Sequence, residues 1–231
     1  MPYIPRQKGG YRMNELQTVG KVVFLAPNDR EPFTTSEVIA ERAEVKHHAV
    51  QQMIQTYEKR LRSFGFLAFE MRKSDGRGRP KKVYHLNEQQ ATFLMTLLKN
   101  TDVVVAFKEE LVRQFFAMRQ ELYRCQTIKT ERRVIRRNVT DAIKALPETP
   151  HKKFKYAQYT NLAYMTAIGK TARAIRKERG AKQTAVASDF LTSAELAAVA
   201  DVENRIGVMI DAGFDYQTIK AALAKRAALT A

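Results

Sequence analysis

One cysteine, no tryptophan, four histidines and no apolar run of eighteen residues mark what this chain lacks. The single thiol, Cys125, excludes an internal disulfide and fits a reducing compartment; it reads as a small apolar residue on a helix. Without a long apolar run no membrane-spanning helix is expected, and the basic residues before Tyr11 have no apolar stretch behind them, so no secretory signal is expected either. The histidines lack metal-ligand spacing: His47 and His48 are adjacent, about 100° apart on a helix, and His47 falls at the edge of a buried stripe, where a structural role fits. Carboxylates are scarce in the basic middle of the chain, where Glu131, Asp141, Glu148 and Glu178 form no recognisable pair for a metal-dependent nuclease. Gly169-Lys170-Thr171 is not a phosphate loop, because Tyr164 stands where the motif needs glycine. No enzyme, cofactor or metal is therefore expected.

What is abundant is positive charge, a net +16, and its placement is uneven. Residues 124–182 hold 16 basic and 4 acidic side chains, whereas 183–231 hold 4 and 6. Such a zone favours a polyanion, because neutralising phosphates releases counterions. Nucleic acid is the leading partner; acidic lipid is weaker, since the cations lack an adjoining apolar face.

Hydropathy patterning predicts a mainly α protein with a small β-hairpin wing, a winged helix-turn-helix-like N-terminal domain followed by a helical C-terminal region. After a polar leader over 1–16, residues 21–25 read as a strand turning at Pro27-Asn28-Asp29. Thr34 and Glu37 have capping-box spacing and Phe33 and Val38 staple spacing, which predicts a helix from about Thr35 to Ala43. A second helix over 47–62 buries Val50, Met53, Ile54, Tyr57 and Leu61. Opposite that stripe lie His48, Gln52, Gln55 and Lys59, flanked by Gln51 and Arg62. Glutamine pairs bidentately with adenine edges in the major groove and lysine with guanine or phosphate, so this face suits a recognition helix as well as a plain solvated one. Residues 66–73 alternate Leu67, Phe69 and Met71 against Ala68, Glu70 and Arg72, with 82–86 as partner strand. Between them Gly76-Arg77-Gly78-Arg79-Pro80-Lys81-Lys82 reads as a wing tip for the backbone or minor groove, or as a solvated basic turn.

Helices are expected over 87–98, 101–124 and 130–146. Phe107, Leu111, Phe115, Met118, Leu122 and Cys125 follow a four-three alternation that fits helix packing on the wing or a homodimer seam. In the third of these helices Ile135, Val139, Ala142 and Leu146 share one face and Arg133, Arg137 and Lys144 the other, a candidate phosphate clamp. Pro147 and Pro150 suggest a boundary, giving units over 17–146, 147–182 and 183–231. Thr192 with Glu195 predicts a helix from Ser193 to about Ala212, ended by Gly213, and Asp215 caps a last one.

The order Thr35-Ser36, Val38-Ile39-Ala40, His47, Val50, Ile54, Tyr84-His85-Leu86, Phe107-Lys108, Phe115 and Met118 resembles the phage regulatory protein Rha family. Where that family often has an Asp-Gly-Phe-like step, this chain has Gln89-Gln90-Ala91. Residues 156–223 resemble a C-terminal segment of phage antirepressor-type regulators, through Gly169-Lys170-Thr171-Ala172, residues 175–180, Asp189-Phe190-Leu191-Thr192, Glu195, Gly213 and 216–220. Residues 76–82 are similar to an AT-hook core. The resemblance implies a phage or prophage protein acting on transcription or on the lysogeny decision. The expected location, from the absence of a span or signal, is the bacterial host cytoplasm, with the nucleoid.

The expected function is that of a DNA-binding regulator, with His48, Gln51, Gln52, Gln55, Lys59 and Arg62 on the recognition helix. Arg72, Arg77, Arg79, Lys81 and Lys82 belong to the wing, and Arg133, Arg137 and Lys144 to the clamp. The alternative is an antirepressor that binds a phage repressor protein. RNA is a third candidate partner, with Phe154, Tyr156 and Tyr159 beside Lys152, Lys153 and Lys155 for stacking.

Overall fold

In the computed structural model, which describes residues 22–25, 31–73 and 80–230, helix α1 (Ser36–Arg42) begins where the Thr35 hydroxyl accepts the Val38 amide at 3.2 Å. The N-cap is thus Thr35 and not Thr34, one residue later than the capping-box spacing suggests. Thr34 belongs to strand β1 (Phe33–Thr35), where pairing with strand β3 (Lys81–Asn87) takes up the backbone. The strand expected over 21–25 reduces, among the described residues, to one antiparallel bridge between Phe24 and Phe33. Its neighbours are held otherwise: the Val22 and Val23 amides both donate to Gln114 Oε1, at 2.8 and 3.2 Å. The turn read at 27–29 lies outside the described residues.

The chain divides into two compact units, Met1–Arg119 and Gln120–Ala231. In the first, α1 is followed by α2 (His47–Thr56), α3 (Glu58–Ser63), β2 (Ala68–Arg72), β3 (Lys81–Asn87), α4 (Glu88–Leu97) and the start of α5 (Asp102–Ala145). The strands form an antiparallel sheet in the order β1-β3-β2. Its core gathers Ile39, Val50, Ile54, Leu61, Leu86, Leu94, Leu111 and Phe115, so the start of the four-three stripe on α5 is buried within this unit. Helix α4 opens with a capping box in which Asn87 and Gln90 exchange side-chain and backbone bonds. Gln90 is fully buried, and its amide donates to the carbonyls of Leu61 and Gly65 at 3.1 and 3.2 Å, tying the entry of β2 to α4.

The second unit holds the rest of α5, α6 (Lys152–Ile168), α7 (Ala172–Glu178), a 3-10 turn (Ala187–Phe190), α8 (Ser193–Asp211) and α9 (Tyr216–Thr230). Two helices expected over 101–124 and 130–146 are one helix of 44 residues. No glycine or proline interrupts it, and the Thr127 and Thr130 hydroxyls bond back to the carbonyls of Tyr123 and Gln126, which satisfies them without leaving the helix. The boundary read at Pro147 and Pro150 is a turn inside this unit: Val139 and Ile143 before it share a core with Tyr159, Leu162, Ile206 and Ile219 after it. Helices α5 and α8 approach closely at Gly207, where a Cβ would meet Val139 Cγ2 at 3.1 Å. The box of Thr192 and Glu195 starts α8, and Asp215 Oδ1 accepts the Thr218 amide at 2.7 Å to start α9.

Candidate nucleic-acid interface

The turn from α1 into α2 is set by its backbone bonds. Glu44 adopts a left-handed φ of 52°, its amide meets the Glu41 carbonyl at 3.3 Å, and the Val45 amide meets the Ala40 carbonyl at 2.9 Å. This is the Schellman closure, with glutamate where glycine is the usual occupant. Helix α2 then buries Val50 and Ile54 and exposes His48, Gln52 and Gln55. The helix predicted over 47–62 breaks at Tyr57 (φ −103°, ψ 16°), whose ring lies edge-on to Phe93 with centroids 6.0 Å apart. Lys59 and Arg62 accordingly stand on α3, and Arg62 pairs with Glu58 at 2.7 Å.

In the wing, β2 pairs with β3 from Ala68 with His85 to Arg72 with Lys81. Arg77 and Arg79 lie outside the described residues. The alternation read over 66–73 is present, but with its sides reversed past Leu67. Phe69 and Met71 are 52% and 57% exposed, while Glu70 and Arg72 turn inward. The cause is polar: Arg72 bonds both Glu37 of α1 and Glu70, and Glu70 stands 3.6 Å from His85 Nε2. Arg72, read as a DNA contact, is engaged inside the fold. Gln51 is likewise half-buried, its amide donating to the Lys82 carbonyl at 2.6 Å, so it fastens α2 to the wing. Lys81 is exposed, and the Lys82 ammonium sits over the rings of Phe69 and Tyr84, 4.0 and 4.5 Å from their centroids.

Two histidines brace this arrangement. Ser36 Oγ accepts the Tyr84 amide at 3.0 Å and is hydrogen-bonded to His47 Nε2 at 2.9 Å, which ties α2 to α1 and β3. Burial lowers His47 below the ordinary histidine value, against the pull of Glu37 and with the push of Lys81 and Arg72. His85 stacks on Phe33, centroids 4.6 Å apart, and burial lowers it too, outweighing Glu70. The structural role read for His47 is what the geometry shows.

On the second unit Arg133 and Arg137 are exposed along α5, without an ion-pair partner among the described residues, and Lys144 pairs with Asp141 at 3.0 Å. The aromatic trio suggested for base stacking is not brought to one surface. Tyr159 is buried edge-on to Tyr216, Tyr156 packs on the core, and Phe154 alone is exposed, with the Lys153 ammonium 5.2 Å from its centroid. Sequence reasoning also missed Arg132, whose guanidinium grips buried Glu203 through two 2.7 Å bonds, with Arg136 adding a third at 2.9 Å. Burial pulls Arg132 down, and Glu203 together with Tyr164 more than reverses this, so its pKa is raised. Among the described residues no group of His, Cys, Asp or Glu could hold a metal, and no helix is long and apolar enough to cross a membrane.

Residues 34–120 match the family model described as phage regulatory protein Rha. The matched segment runs from β1 through the sheet and α4 into α5, so the likeness read from Thr35 to Met118 is borne out there, and the match does not reach the helices from α6 onward. No curated protein matches the chain.

Proposed function

We propose that the chain is a phage or prophage transcriptional regulator that binds duplex DNA, with α2 reading the major groove and the wing lying against the backbone or minor groove. One observation carries the reading: His48, Gln52 and Gln55 stand exposed on a helix fastened to a cation-bearing wing through Gln51 and Lys82. An amide side chain on an exposed helix face makes the paired donor and acceptor contact that an adenine edge offers, and Lys81 and Lys82 supply the charge that draws a phosphate backbone. Arg133 and Arg137 give the second unit a phosphate-binding surface of its own.

Selection of bound sites from random duplexes at two salt concentrations tests the proposal. Gln52→Ala should relax base preference at one or two positions. Arg137→Ala should weaken binding to all sequences and reduce the salt slope by about one. Uniform loss across sequences in both variants would remove the recognition role of α2.

A further inference from the structure

Strand β2 carries Phe69 and Met71 outside, because the ion pairs of Arg72 with Glu37 and Glu70 turn the charged side of the strand inward. Phe69 and Met71 are more than half exposed, on a strand whose Glu70 and Arg72 are spent on Glu37, His85 and each other. By strand alternation and register, Phe69 and Met71 share a sheet face with Lys82 and Tyr84. The Lys82 ammonium lies 4.0 Å from the Phe69 centroid, and the Lys82 carbonyl is the one that Gln51 of α2 holds. An exposed ring and thioether therefore lie beside the Lys82 ammonium, on the strand that Gln51 ties to the helix presenting Gln52 and Gln55.

We infer that Phe69, supported by Met71, stacks on an exposed nucleobase while Lys82 meets the adjoining phosphate. The ligand has to offer a flat apolar face and a negative charge within one side chain's reach, which is what a nucleotide offers. A base shows its face either in a single strand or at a duplex step that has been opened, and aromatic wedges open such steps in other DNA complexes. The inference deepens the proposed DNA binding and rests on it for the duplex case.

The test places 2-aminopurine in turn at each position of a bound duplex and, in parallel, of its separate strands; the chain has no tryptophan to interfere. The wild-type protein should change the fluorescence at one step. Phe69→Ala should abolish that change and weaken binding about tenfold, the loss expected for one base–aromatic stack. Phe69→Tyr should keep both, and circular dichroism should show all variants folded, since the ring is half exposed. A signal in single strands without duplex binding would sustain the stacking face and overturn the duplex reading. Duplex binding with the same signal and affinity in Phe69→Ala would overturn the stacking face and leave the duplex reading standing. Binding to neither would remove both.

Discussion

The side-chain amide of Gln51 on α2 and the backbone carbonyl of Lys82 on β3 meet at 2.6 Å, and this bond joins the exposed helix to the wing. Gln51→Ala takes away the donor and leaves a part-buried carbonyl short of a partner, a loss of about 1 kcal/mol. Hydrogen exchange should read it as faster exchange across β2 and β3, with α4 unaffected. Unchanged protection in the wing would mean that the bond does not hold it.

Glu44 occupies a left-handed position that costs an L side chain about 1 kcal/mol and glycine little. Glu44→Gly should raise the unfolding free energy by about that amount, less the entropy that glycine gains when unfolded. Denaturant titration measures the difference, and destabilisation by the substitution would contradict the geometry.

Glu203 is 3% exposed and answers Arg132, which is 10% exposed. Glu203→Gln leaves the Arg132 guanidinium buried without a counter-charge and should cost the second unit about 3 kcal/mol or more. The double variant Arg132→Met with Glu203→Leu should recover most of that loss, because it removes both desolvated charges. Thermal unfolding of the single and double variants checks the pair.

His47 and His85 are both lowered by burial, so the unfolded chain takes up protons on them first. Groups depressed on folding stabilise above their unfolded value and lose that contribution as pH falls through the folded one. The melting temperature should therefore begin to drop below about pH 6.5, before the carboxylates titrate. Replacing both histidines with glutamine should flatten that first drop; an unchanged profile would place its source elsewhere.

Caps and stripes were legible in the sequence because they depend on neighbours a few residues away. Thr192 with Glu195, Asp215, and the buried positions Val50, Ile54 and Leu61 follow from helical geometry alone, and so does the exposure of His48, Gln52 and Gln55. The family likeness over 34–120 was likewise read from the order of residues along the chain. Tertiary structure decided the rest. Alternation in β2 is symmetric between its two sides, and the ion pairs of Arg72 with Glu37 and Glu70, drawn from elements 35 residues apart at the widest, chose which side faces in. The duty of Gln51 as a fastener depends likewise on a partner 31 residues along the chain, and a period read from neighbours carries no record of it.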